Sequence, residues 1–230
     1  MLAIIPAKKH STRISNKNIK LLNSKPLLSY SISAALNSKF VTRVIVSTDC
    51  PEIALISKKF GAEVPFLRPK KLTADSSGMK DICRHALIFL EQNEKIIINN
   101  IVGLQPTSPL RSAKDIDLAI KLFIKKKAES VMSFNSTKPI EWHKYIKNNK
   151  NFYSIIKNNK KKKLKESFVL NGAIYIYNRS YLFSNKDYIT NDKKSFAYLM
   201  PKERSVDIDE QIDFDLAEFL IKKKKSLITE

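Results

Sequence analysis

Short β-branched apolar runs alternate along this chain with segments of helical period, and that alternation limits the fold more than any other feature. Leu2-Ala3-Ile4-Ile5, closed by Pro6, reads as a fully buried strand. Pro26 opens a helix whose apolar positions 28, 32, 35 and 36 share one face. Arg43 to Thr48 is strand-like, Asp49-Cys50-Pro51-Glu52 starts a helix that Gly61 ends, and Glu63 to Leu67 is expected as another strand. Helices over Lys80 to Leu90 and Ala113 to Lys125 then alternate with strands at Ile101 to Leu104 and Ser130 to Phe134. This order predicts an α/β protein, with a mainly parallel sheet covered by helices on both faces. Ligands of such sheets bind beyond the carboxyl ends of the strands. The polar loops after Pro6, Thr48 and Leu104 are therefore expected to converge.

Between Asn135 and Val169 the texture changes. Asparagine and lysine dominate, Lys160 to Lys163 is a solid charge run, and Trp142, Tyr145, Phe152 and Tyr153 punctuate it. The segment reads as an inserted lobe or pair of hairpins. Strands return at Gly172 to Tyr177 and Phe196 to Met200, and Phe214 to Ile221 forms a closing helix. The 230 residues fit one domain with a small subdomain.

Composition narrows the class further. Hydrophobic residues make up 43%, which argues against wholesale disorder. No apolar run approaches the roughly 18 residues that span a bilayer, and Met1 to Pro6 has no basic region ahead of its apolar stretch, as a signal peptide would. Cys50 and Cys83 lack the spacing of a disulfide framework or a zinc site. A soluble cytoplasmic protein is expected. The formal charge of +20 invites a nucleic-acid reading, but only seven of the 42 basic residues are arginine, the side chain favoured for bidentate base contacts. A phosphate-rich small substrate would use the same positive field, so no nucleic-acid partner is expected.

Three segments carry candidate chemistry. The loop Ala7 to Asn18 gathers Lys8, Lys9, Arg13 and Lys17 with hydroxyl and amide donors after the first strand, as a polyphosphate site requires. It contains no glycine, so it is neither a P-loop nor a dinucleotide fingerprint. The plainer alternative is a solvated basic loop. In Leu104-Gln105-Pro106-Thr107-Ser108-Pro109-Leu110-Arg111 two prolines stiffen a turn that gathers Gln105, Thr107, Ser108 and Arg111, a hydrogen-bonding set suited to a polyhydroxylated ligand. A rigid turn with Ser108 or Ser112 capping the next helix fits equally well. In Val206-Asp207-Ile208-Asp209, residues two apart share a face if the segment is extended. Two carboxylates side by side then suit a hard cation such as Mg²⁺. The competing role is helix capping by Asp209, supported by Asp213. His85 sits in a helix and is read as a packed residue.

Together these segments resemble the acylneuraminate cytidylyltransferases, the enzymes that make CMP-sialic acid and related CMP-nonulosonates. The likeness runs through Ile4-Ile5-Pro6-Ala7, Asn16-Lys17-Asn18, Lys25-Pro26-Leu27, Val46-Ser47-Thr48-Asp49 and Val64 to Pro69. It continues through Leu104 to Arg111, Asn171-Gly172-Ala173-Ile174-Tyr175 and Val206 to Asp209. The resemblance implies a three-layer Rossmann-like nucleotidyltransferase fold over residues 1–230, with 135–169 as an inserted dimerisation lobe. It implies transfer of CMP from CTP to the anomeric hydroxyl of a nine-carbon sugar acid, with release of pyrophosphate. Lys8, Ser11, Lys17, Asn18 and Arg68 then match nucleotide contacts, with Ser76 and Ser77 near the base. Lys17, Arg13 and Gln105 are the candidate catalytic residues, with Lys8, Arg13 and Lys17 expected to stabilise the departing pyrophosphate. Gln105, Thr107, Ser108, Tyr175, Tyr188 and Lys161 match the sugar side, Lys161 being supplied by the lobe. Asp207 and Asp209 match magnesium carboxylates.

The departures fall in the first loop, where the usual Ala-Arg-Gly-Gly-Ser-Lys is Ala7-Lys8-Lys9-His10-Ser11-Thr12, and at Val169-Leu170, where the family carries Arg-Pro. Lys8 keeps the charge of the arginine but loses its bidentate fork. Legionaminic or pseudaminic acid as the sugar, or a degenerate nucleotide-binding relative without turnover, are the alternatives.

Overall fold

A computed structural model describes residues 1–74, 77–146, 152–154, 166–186 and 193–226. The central sheet contains β1 (Leu2–Pro6), β4 (Arg43–Ser47), β5 (Asn100–Gly103), β6 (Ser130–Thr137), β9 (Ser167–Asn178) and β10 (Ser195–Leu199) in the order β10-β6-β9-β5-β1-β4. Two short strands, β2 (Leu21–Leu22) and β3 (Lys25–Pro26), form a separate hairpin. All sheet neighbours pair in parallel except β9, which runs antiparallel to both β5 and β6.

Side chains alternate across β1 and build two cores, as the two-residue period of a strand requires. Ala3 and Ile5 join Val44, Val46 and Val102 under α1 (Leu27–Leu36), α2 (Pro51–Lys59) and α4 (Ala113–Lys125). Leu2 and Ile4 join Ile45, Ile101 and Tyr177 under α3 (Met79–Glu94) and α5 (Arg179–Phe183). The result is a three-layer α/β sandwich. A smaller cluster of Ile14, Leu22, Leu27, Ile208, Phe214 and Ala217 seats α6 (Gln211–Ser226) against the β2–β3 hairpin. No described helix is long and apolar enough to cross a membrane.

Glu63 to Leu67 does not form a strand. It follows the edge of β4 through two isolated bridges, Ile45 with Glu63 and Thr48 with Leu67. Pro65 lies between them and offers no N–H, so a continuous ladder cannot form there. Beyond the sheet, β6 and β9 continue as a two-stranded ribbon from Asn135 opposite Val169 to Thr137 opposite Ser167. A small hairpin of β7 (Lys144–Ile146) and β8 (Phe152–Ser154) follows it. Trp142, Ile146, Phe168 and Val169 are exposed in this region.

Candidate active site

Because β4, β1 and β5 are adjacent and parallel, the loops after them open on one edge of the sheet, where the sequence places its polar segments. They enclose a cleft of about 510 Å³. Lys8, Ser11, Arg13, Lys17 and Asn18 enter from the loop after β1, and Arg68 and Ser77 from the connection after β4. Gln105 and Thr107 enter after β5, and Asp207 and Asp209 from the segment ahead of α6.

The first loop is braced by side chains. The backbone N–H of Lys9 donates to Asp49 Oδ1 at 2.8 Å, and Asn18 Nδ2 donates to the Lys8 carbonyl at 2.8 Å. Asn16 adopts a left-handed conformation (φ 49°), a region asparagine tolerates, and starts one turn of 3₁₀ helix that buries Lys17 and Asn18. Lys17 Nζ donates to the Ile208 carbonyl at 2.6 Å and lies 3.5 Å from Asp209 Oδ1. Arg13 Nη1 is 2.8 Å from Asp209 Oδ2.

Ile208 explains why the two carboxylates face the cleft. Its side chain is fully buried beneath α6 and its N–H donates to the Thr107 carbonyl at 2.8 Å, so Asp207 and Asp209 lie on the opposite side and both line the cleft. The capping role read for Asp209 belongs to Asp213, whose Oδ2 accepts from the N–H groups of Asp209 (3.0 Å) and Glu210 (2.8 Å). Burial pushes the Asp207 carboxyl above its ordinary range. Thr107 and Lys17 oppose that shift, and Asp209 adds to it. Asp207 Oδ1 is buried without a hydrogen-bond partner among the described residues. Burial likewise draws the Arg68 guanidinium down, opposed by Asp49, and its Nε has no partner there either. An unsatisfied carboxylate oxygen and an unsatisfied guanidinium across one cleft suit a cation and an anion bound together.

Gly172 is a part of the site to which the sequence assigns no role. It sits at φ +73° beside the register shift between Met132 and Phe134, and a Cβ there would lie 2.4 Å from Gln105 Oε1 and 3.4 Å from Asp207 Oδ2. The amide and the carboxylate thus meet over a bare backbone. A lone glycine inside a strand was the available signal.

Two expected ligand contacts stand outside the cleft walls. Ser108 is fully buried behind the Pro106–Pro109 turn, and Ser112 caps α4 by accepting from Asp115 N–H at 3.2 Å. Tyr175 is turned into the core opposite Gly103, its ring 6.3 Å from that of Tyr177. Ser76, Lys161 and Tyr188 lie outside the described residues. His85 packs edge-on against Phe66 at 4.9 Å, in keeping with a packed role. A larger and more apolar cavity, about 840 Å³ between α1, the start of α4 and α6, contains none of the candidate carboxylates.

Asp207 and Asp209 are also the donor set available to a metal. Among the described residues no group of three or more His, Cys, Asp or Glu could hold an ion. Mg²⁺ is commonly bound by one or two carboxylates completed by substrate phosphates, so the pair with its unsatisfied Oδ1 fits that ion.

Known proteins resemble this chain in sequence and in fold. The N-acylneuraminate cytidylyltransferase of Escherichia coli O18:K1:H7 is 34% identical over 228 residues, 97% of this chain, and the chain spans about half (52%) of that relative's length. The CMP-N,N'-diacetyllegionaminic acid synthase of Legionella pneumophila is 34% identical over 229 residues, covering 96% of both chains. The solved structure of CMP:2-keto-3-deoxy-manno-octonic acid synthetase complexed with CTP shares the fold, with a TM-score of 0.68 over 97% of this chain and 98% of that one at 16% identity. The family model described as Cytidylyltransferase matches residues 2–228, and the chain belongs to that family.

Proposed function

We propose that this protein transfers CMP from CTP to the anomeric hydroxyl of a nine-carbon 2-keto sugar acid of the sialic and legionaminic class, releasing pyrophosphate. The observation that carries this reading is one cleft lined by Lys8, Arg13, Lys17, Gln105, Asp207 and Asp209, with Arg13 and Lys17 drawn against Asp209. The sugar oxygen bonds to the α-phosphorus, the bond from that phosphorus to the pyrophosphate oxygen breaks, and the hydroxyl proton is released. Such a transfer relies on positioning and charge stabilisation rather than covalent chemistry on the protein. Lys8, Arg13 and Lys17 hold the departing phosphates, Arg68, Ser11, Asn18 and Ser77 hold the nucleotide, and Gln105 and Thr107 orient the sugar acid. Arg13, 57% exposed, is free to exchange Asp209 for a phosphate oxygen. Asp207 and Asp209 would hold Mg²⁺, which when bound neutralises phosphate charge.

We also propose a homodimer through the 135–169 lobe, supported by its exposed Trp142, Ile146, Phe168 and Val169. A cytoplasmic location accords with consumption of CTP and with two free, buried cysteines. Pyrophosphate release from CTP with a panel of nonulosonic acids tests the reaction. Release with at least one acid supports it, and binding of CTP without release from any would favour a non-catalytic relative. Sedimentation showing only monomer at micromolar concentration would overturn the dimer.

A further inference from the structure

The antiparallel ladder of β5 and β9 ends at the pair Gly103–Tyr175. Counting two residues further in the same register would pair Gln105 with Ala173, and the two backbones share one buried donor. Arg111 Nη1 donates to the Gln105 carbonyl at 3.1 Å and to the Ala173 carbonyl at 2.9 Å. Ser31 Oγ donates to the same Gln105 carbonyl at 3.1 Å, so that oxygen is held from two sides.

Stability alone does not account for this arrangement. Arg111 is 2% exposed, and burial draws its guanidinium down to about 10 despite the field of Asp115. Its Nε and Nη2 have no hydrogen-bond partner among the described residues. A buried cation with unsatisfied donors is a poor way to fill space, and an apolar side chain of similar length is often neutral or better. What an apolar side chain cannot do is tie two carbonyls together. One belongs to Gln105. The other follows Gly172, whose missing side chain leaves room for Gln105 Oε1 and Asp207 Oδ2.

We infer that Arg111 is a positioning residue for the sugar half of the cleft: it continues the β5–β9 register past the end of the ladder, so that the Gln105 amide rests on Gly172 beside Asp207. The inference rests on the proposed reaction, which gives Gln105 the sugar acid. The nucleotide half stands on β1 and β4 and does not depend on this tie. Arg111→Met removes both hydrogen bonds, whereas Arg111→Lys keeps a cation on a shorter stem and restores them in part.

The test combines melting temperature, calorimetric CTP affinity, and kcat and KM for the sugar acid measured by pyrophosphate release. It adds the NMR signal of the Gln105 side-chain amide, assigned by its loss in Gln105→Ala. Arg111→Met is expected to bind CTP within twofold of the unaltered protein and to lose at least tenfold in kcat/KM for the sugar acid. Arg111→Lys should fall between the two, and both should shift the Gln105 amide signal. Sugar kinetics within twofold in Arg111→Met would overturn the inference, as would CTP affinity that falls as far as sugar use. Should Arg111→Met fail to fold, the same criteria apply to Arg111→Lys. If the unaltered protein releases no pyrophosphate with any acid, the proposed reaction fails, and the NMR arm still decides Arg111: an unmoved Gln105 amide refutes its positioning role.

Discussion

Replacing Gly172 with alanine separates what the backbone requires from what the site requires. At φ +73° an L-residue bears a left-handed penalty of about 1–2 kcal/mol. In a domain of this size that corresponds to a fall of roughly 2–8 °C in melting temperature. The new Cβ would also lie 2.4 Å from Gln105 Oε1, where ordinary contact begins at 3.4 Å. The oxygen ends a flexible side chain, so it yields rather than the backbone, by about 1 Å. A misplacement of that size can cost about 10²-fold in rate. Gly172→Ala is therefore expected to lose about two orders of magnitude in pyrophosphate release while CTP affinity barely changes.

Gly61→Ala is the control. That residue also has positive φ (+89°), and its Cβ would meet only Leu36 Cδ1 at 3.1 Å, so it should lose comparable stability and keep its rate. The double variant Gln105→Ala/Gly172→Ala supplies a second check, since changes acting through one side chain are not additive. Adding the alanine to Gln105→Ala should cost little further activity. The reasoning is refuted if Gly172→Ala melts lower yet turns over within twofold of normal, or if the two changes multiply.

Three other outcomes follow from the same geometry. Burial raises the folded-state pKa of Asp207, so its ionised form destabilises the fold above the ordinary value of 3.8. Asp207→Asn should leave the melting temperature equal or higher while most turnover is lost, and Asp209→Asn should lose turnover with little change in stability. Near-normal rates for both at low Mg²⁺ would refute their metal role. For Asp115, burial favours the neutral form, but Arg204, Ser112 and Tyr198 outweigh it and hold the carboxyl below 3.8. Its stabilisation is then full above that value and lost as pH falls through the lower folded pKa. Asp115→Asn should cost about 2–3 kcal/mol in urea unfolding at neutral pH, and the gap should close on acidification. Lys17→Ala and Arg13→Ala should each weaken CTP use at least tenfold, about 1.4 kcal/mol, with the half-exposed Arg13 more sensitive to salt. Titration of CTP at low and moderate salt checks both.

Local pattern carried most of the fold and stopped where distant segments meet. The helix expected over Ala113 to Lys125 has those bounds, because its apolar period and the Ser112 cap are both local. Antiparallel β9 was the harder strand, since an apolar run has no direction. The polar, lysine- and asparagine-rich sequence of residues 135–169, which reads as an insertion rather than a crossover unit, was the available clue, because parallel neighbours need a crossover connection. In the site, strand-end loops were legible because a parallel sheet aims them at one edge. The bond from Lys17 to the Ile208 carbonyl spans 191 positions, and the meeting of Gln105 with Asp207 over Gly172 joins three segments. No local period encodes either. Ser108 is open in the sequence for the opposite reason: its residue type suits a ligand and a rigid turn equally, and the packing shows it fully buried.

On the proposed reaction, the glycine-free loop would give the same chemistry a different support. Glycine in a phosphate loop supplies backbone turns and lets amides approach the anion closely. Here Asn16 takes the left-handed turn, Asn18 holds the Lys8 carbonyl, and the Lys9 amide is committed to Asp49. With that amide engaged inside the protein, more of the anion's stabilisation must come from side-chain cations. Two of those, Arg13 and Lys17, lie against Asp209, so the cleft is far closer to neutral than a net charge of +20 suggests. Asp209 therefore does two things in this arrangement. It keeps mutually repelling cations together, and on the proposed reaction it would also help Asp207 receive a cation carried by the phosphates. A loop rich in glycine needs the second service more than the first; a loop built from lysine and arginine needs both.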